Sequence, residues 1–122
     1  MESNFILDNK NNVAMYIRNK NLGICGHTKG NGYVCLKWKS WCLLGCYCSP
    51  NVDLQEFGSF VGSITSELRS TNLEAVIAGD FNAKASMWGS PVTDARGEYL
   101  MEWAAELDLS AINWSQMLAA NI

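Results

Sequence analysis

The apolar residues of this chain change period at one point, and that change restricts the fold more than any other feature. Before Ser49-Pro50-Asn51, two dense apolar runs, Tyr33 to Trp38 and Trp41 to Cys48, are separated only by Lys39 and Ser40. Short runs rich in aromatic and branched residues suit strands, and so brief a gap predicts an antiparallel pair. The turn lacks Asn-Gly chemistry, so its type stays open. After Asn51, the residues Leu54, Phe57, Val61, Ile64 and Leu68 recur at spacings of three and four. That stripe predicts a helix with one buried face. Asp53 is placed to cap it, with Glu56 three residues on to complete the reciprocal arrangement. Gly58 and Gly62 each weaken such a helix by up to ~1 kcal/mol relative to Ala, so packing has to hold it.

On either side the signals are weaker. Val13, Met15 and Ile17 alternate with Ala14, Tyr16 and Arg18, which predicts a half-buried strand. The stretch from Asn19 to Gly32 reads as a long connection. Its glycines match neither the dinucleotide fingerprint nor the Walker loop. Ala75 to Ala78 predicts a short buried strand ending at Gly79 and Asp80, followed by a polar, irregular stretch to Gly97. Leu100, Trp103 and Leu107 predict a second helix, and Ser110 to Trp114 a last strand. The order is that of an α/β domain with mixed strand directions. Residues 1–12 read as an irregular segment, 13–114 as the domain and 115–122 as a tail.

At 122 residues, with 48% hydrophobic content, the chain has material for one packed domain. Nine Lys and Arg against twelve Asp and Glu leave a net charge of −3, which excludes a basic protein that coats nucleic acid. The start lacks a basic region followed by an apolar stretch, and no apolar run approaches the ~20 residues of a membrane span. An intracellular protein is expected. Its five cysteines are then expected as free thiols. Strand geometry argues against a zinc site built from Cys25, His27, Cys35, Cys42, Cys46 and Cys48. Along a strand Cys42 and Cys46 stand roughly 13 Å apart, too far for one tetrahedral metal. The cysteines are expected as small buried hydrophobes, and His27 as an exposed loop residue.

Candidate chemistry concentrates at Gly79-Asp80-Phe81-Asn82-Ala83. This segment leaves the carboxyl end of an apolar strand, where α/β sheets place ligands. Asp80 can orient or deprotonate a water or ligate a hard cation, and the Asn82 amide can donate to a phosphate oxygen. The same pair also suits a plain Asx-turn leaving the strand. Tyr47, near the end of the other apolar run, reads as core when taken alone, yet the two strand ends can meet at one rim.

Taken in order, Cys46-Tyr47-Cys48-Ser49-Pro50-Asn51, Gly79-Asp80-Phe81-Asn82-Ala83-Lys84, Trp88-Gly89-Ser90, Thr93-Asp94-Ala95-Arg96-Gly97 and Trp103-Ala104-Ala105-Glu106-Leu107 carry a resemblance. They resemble the endonuclease/exonuclease/phosphatase superfamily, and within it the apurinic-type endonuclease domain of non-LTR retrotransposons. The resemblance runs from about Val13 to Asn113. It implies part of a four-layered, DNase I-like α/β sandwich with mixed and antiparallel strands and outer helices. It also implies Mg²⁺- or Mn²⁺-dependent hydrolysis of phosphodiester bonds in DNA, beside a reverse transcriptase domain in an intact element and in a nuclear setting. By the same resemblance Asp80 activates the attacking water, and Asn82 contacts phosphate and metal. Tyr47 supports the phosphate and the neighbouring acid, and Asn51 lies near the substrate cleft. Asp80, Asn82 and Tyr47 are therefore expected to share one hollow.

The chain departs from the family pattern at both ends. Before Val13 no strand ends in a metal-binding Glu, Glu2 lacking strand context, and after Asn113 no Asp-His pair follows. Asp80 and Asn82 are then the metal ligands that remain, so weak metal binding, a catalytically incomplete copy and self-association through uncovered apolar surface are expected. The rival expectation is a non-enzymatic protein-interaction module on the same scaffold, with a zinc-binding module third.

Overall fold

The computed structural model describes residues 4–112 and 117–120. Strands β1 (Phe5–Leu7) and β2 (Ala14–Tyr16) pair antiparallel as a two-stranded sheet. The main sheet contains β3 (Gly26–Gly30), β4 (Tyr33–Lys37), β5 (Trp41–Tyr47), β6 (Glu74–Asp80), β7 (Leu109–Ile112) and β8 (Met117–Ala120), in the order β3-β4-β5-β6-β8-β7. Two helices, α1 (Leu54–Arg69) and α2 (Ala95–Glu106), flank β6 in sequence. This mixed α/β architecture agrees with the sequence reading.

The change of period at Ser49-Pro50-Asn51 becomes a β5-α1-β6 unit. Because the chain crosses over through a helix, β5 and β6 run parallel, while the other neighbouring pairs are antiparallel. Both carboxyl ends therefore emerge at one rim, with Tyr47 opposite Asp80. Cys42, Leu44 and Cys46 are buried on one face of β5, with Cys48 just past its end, beside Ala75 and Ile77 of β6. Phe57, Val61, Ile64 and Leu68 of α1, and Leu100 and Trp103 of α2, join the same core. Thus four cysteines serve as small core hydrophobes, and Cys25 is exposed. Asp53 caps α1 by accepting from the Glu56 N–H at 2.8 Å. Leu54, expected in the buried stripe, is 47% exposed as the first residue of α1. Trp103 Nε1 donates to Thr65 Oγ1 at 2.7 Å and joins the two helices.

The hairpin β1-β2 meets the opposite face of the sheet at Gly45. Gly45, between the helix-facing Leu44 and Cys46, lies so close to Met15 that an added Cβ would stand 2.7 Å from its Cε. The alternation read from Val13 to Ile17 is observed, yet its partner strand occupies Phe5–Leu7 within the segment expected to be irregular. Three residues are too few for a period of two to register in sequence, and pairing with β2 makes the strand. The same cause corrects the long connection: β3 lies inside it, paired with β4, and exposed His27 is a strand residue rather than a loop residue. In the expected tail, Met117–Ala120 form β8 between β6 and β7. The start expected for the last strand holds to within a residue at Leu109–Ile112, while Glu2, Asn113 and Trp114 lie outside the described residues.

The two hairpin turns are joined by one buried carboxylate. Asp8, 2% exposed, accepts backbone N–H bonds from Lys10 (3.2 Å), Asn12 (2.6 Å), Val13 (2.8 Å) and Gly32 (2.8 Å). Burial raises its pKa, and the four N–H bonds more than reverse that, leaving it below the ordinary 3.8. A lowered folded-state pKa stabilises the fold above the unfolded value and ceases to do so as pH falls through the folded one. Thermal melting is expected to hold steady as regards Asp8 above its ordinary 3.8 and to fall on further acidification. Asp8→Asn is expected to remove that acid-side slope and to cost about 2 kcal/mol at neutral pH, measured by urea unfolding.

Candidate functional site

The rim is built where β5 and β6 end. Asp80 O accepts from the Cys48 N–H at 2.9 Å, which extends the parallel pairing one residue past Tyr47. Gly79 is required here, because a Cβ would stand 2.1 Å from the Cys46 carbonyl oxygen. The chain then turns sharply. The Asn82 N–H donates to Asp80 Oδ1 at 2.8 Å, and Asn82 adopts φ 50°, a left-handed conformation that Asn tolerates. The Asx-turn is therefore formed, and it employs one oxygen of Asp80 while the exposed side chain keeps the other toward solvent. Asn82 Nδ2 donates to the Cys48 carbonyl at 2.7 Å, which leaves its second hydrogen for a ligand.

Arg96 holds this arrangement in place. It is 9% exposed, and its guanidinium lies 4.8 Å from the centre of the Phe57 ring. Nη1 donates to Phe81 O at 3.1 Å, and Nη2 to Ser49 O at 2.9 Å and Val52 O at 2.7 Å. One planar fork thus ties the loop after β5 to the loop after β6. Its neighbours explain the rest of the Asp-x-Arg-Gly segment. Asp94 Oδ1 caps α2 by accepting from Gly97 N–H at 2.8 Å and also accepts from Lys84 N–H at 3.0 Å. Gly97 lets the helix start approach the loop, since a Cβ there would stand 1.9 Å from Lys84 O. Trp88 Nε1 donates to Ala83 O at 3.2 Å and secures the same loop.

A cleft of about 450 Å³ opens beside the turn, bordered by Pro50, Leu54, Asn82, Lys84 and Arg96. The register makes Tyr47 and Asp80 neighbours on the sheet face turned away from α1, but Tyr47 borders a separate cleft. Tyr47 and Asp80 thus meet as register partners, while Tyr47 and Asn82 line different clefts. Asn51 is exposed on the loop after β5, its N–H donating to Ser49 Oγ at 3.2 Å, and no hydrogen bond among the described residues joins it to Asp80 or Asn82. Burial pushes the Cys46 thiol above its ordinary 9.0, and burial, partly countered by Arg96, does the same to Cys48. Neither is a thiolate nucleophile at neutral pH.

Sequence reasoning found Asp80 and Asn82 and left Arg96 without a role. The signal was available in the capping pattern: Asp94 three residues before Gly97, immediately ahead of the helical stripe, marks a helix start that must sit against another backbone.

A mixed sheet with helices on one face and a polar turn at the parallel strand ends defines an α/β protein with its candidate site at the strand ends. A sequence profile of the endonuclease-reverse transcriptase family matches residues 41–118, and the chain belongs to that family. Its fold is similar to the endonuclease domain of TRAS1, a telomere-specific non-LTR retrotransposon, with TM-score 0.65 and 24% identity. The similarity covers 84% of this chain, which spans 49% of that domain. No curated protein matches the chain.

Arg96→Lys keeps the charge and loses the fork. It is expected to cost about 3 kcal/mol in urea unfolding, because several buried carbonyls lose their donors. Hydrogen exchange of the amides from Ser49 to Val52 is expected to accelerate more than that of β4.

Proposed function

We propose that this chain carries the Asp80 rim of a DNA phosphodiesterase, as in the endonucleases of non-LTR retrotransposons. The observation that carries the reading is the placement of Asp80 opposite Tyr47 at a shared strand end, with Asn82 pinned to Cys48 just past the end of β5. In this reading the outward oxygen of Asp80 orients a water and takes its proton. The free hydrogen of the Asn82 amide and the Lys84 ammonium meet the phosphate in the cleft beside the turn. Tyr47 supports the acid from the other side of the register pair, and Asn51 contacts flanking DNA.

The family implies Mg²⁺ or Mn²⁺. Among the described residues no group of three or more His, Cys, Asp or Glu side chains is assembled as a cation site. The residues present therefore do not fit a divalent ion by themselves, Asp80 and Asn82 being a weak pair for a hard cation, and the role given to Asp80 does not pass through one. Low activity of the isolated chain follows, with DNA as substrate and a reverse transcriptase domain as companion in an intact, nuclear element. No helix among the described residues is long and apolar enough to cross a membrane.

Relaxation of supercoiled plasmid with Mg²⁺ or Mn²⁺ tests the reading. Slow nicking is expected, reduced about 10²-fold in Asp80→Ala. Nicking that is undiminished in Asp80→Ala overturns it.

A second reading, a protein-interaction module, is favoured by the hairpin. Phe5 and Tyr16 are each 56% exposed, with ring centres 4.8 Å apart, and Leu7 projects beside them. Self-association through this patch is expected to show in sedimentation velocity and to weaken in Phe5→Ser/Tyr16→Ser. One stoichiometric protein partner recovered without any metal-dependent cleavage favours this second reading over the first.

A further inference from the structure

We propose that the cleft between α1 and the two hairpin turns is a nucleobase-binding site. Its volume is about 420 Å³, within the range of roughly 300–1,000 Å³ typical of small-molecule sites. Four parts of the chain converge on it: Lys10 and Asn12 from the β1-β2 turn, Asn31 from the β3-β4 turn, the end of β5 with the loop after it, and Gln55, Ser59 and Phe60 from α1.

The lining selects a ligand class. Carboxamides and hydroxyls offer donors and acceptors side by side, the pattern that base edges present in return. The half-buried Phe60 ring borders the cleft and supplies a stacking surface. Lys10 is exposed and forms no ion pair among the described residues, so it is available to one phosphate. Glu56 on the same wall disfavours a polyanion docking through charge alone.

The walls are held before a ligand arrives. Asp8 commits its carboxylate to the N–H groups of Lys10, Asn12, Val13 and Gly32, so the two turns move as one piece and its negative charge is masked from the cleft. Gly32, at φ +86°, lies under the Phe60 ring, and a Cβ there would stand 2.8 Å from Phe60 Cε1 and from the Tyr47 carbonyl. The Phe60 ring packs edge-on to Phe81 at 6.1 Å, and Phe81 lies between Asp80 and Asn82. A base held here is therefore one residue layer from the proposed phosphodiester turn. The base site deepens the phosphodiesterase reading, on which it rests where the base belongs to DNA, whereas a free nucleotide satisfies the same chemistry without it.

Calorimetric titration of the whole chain tests the site with dAMP, dTMP, the corresponding deoxynucleosides, inorganic phosphate and an oligonucleotide duplex carrying one unpaired base. Saturable binding of the nucleotides is expected, largely kept by the deoxynucleosides and absent for phosphate alone. Ser59→Trp, which fills the cleft from an exposed helix position, and Gln55→Ala, which removes a base-edge partner, are each expected to weaken it at least about tenfold. Circular dichroism is expected to show both variants folded. Displacement of dAMP by the duplex assigns the base to DNA, and binding of the mononucleotides alone assigns a free nucleotide. No nucleotide binding up to about 10 mM, phosphate competing as well as dAMP, or unchanged affinity in both variants overturns the site. Asp80→Ala separates the two proposals: it is expected to lose nicking and retain nucleotide binding. Loss of base binding in Ser59→Trp with Asp80-dependent nicking intact leaves the phosphodiesterase reading standing.

Discussion

The rim depends on a cation that has no carboxylate to pair with among the described residues. Arg96 is nine-tenths buried, and its charge is met by backbone carbonyls and the face of Phe57. A buried charge is tolerated only when its donors are satisfied, so the guanidinium and the loops around it define each other's positions. Without that fork the loops after β5 and β6 would be two separate surface excursions. With it, the carbonyls of Ser49, Val52 and Phe81 become one rigid platform, on which Asp80 and Asn82 are displayed.

The opposite charge performs the matching task one turn away. Asp8 is buried against four backbone N–H groups, as Arg96 is buried against carbonyls. Each charged side chain satisfies polar backbone that regular pairing cannot reach, which is the recurrent need wherever several chain reversals crowd together. The two devices hold the two clefts that flank the β5 end. Pre-organised walls reduce the ordering cost of binding, so rigidity here serves recognition as well as stability.

Much of the frame was legible from residue spacing. The stripe from Phe57 to Leu68, the cap at Asp53, the antiparallel run from Tyr33 to Cys48 and the strand before Gly79 each rest on contacts within a few residues or on one strong period, and each was observed. The strands Phe5–Leu7, Gly26–Gly30 and Met117–Ala120 were not legible, because strands of three to five residues, whether apolar like the first and last or polar like the second, acquire their identity from a partner elsewhere in the chain. At the rim, Asp80 and Asn82 announced a polar turn at a strand end, but nothing local showed that the Asn82 amide turns to Cys48, 34 residues earlier.

What this sequence determined by itself is a βαβ unit with a carboxylate and an amide where its second strand ends. Period, capping and turn chemistry act over distances that a linear string already displays. Tertiary structure alone decided which groups meet there: Arg96 reaching back 44 to 47 residues to the loop after β5, Asp8 reaching 24 residues forward to Gly32, and Tyr47 standing on a different cleft from Asn82. These are satisfactions of buried charge and backbone polarity, and such groups find their partners only once the chain has closed around them.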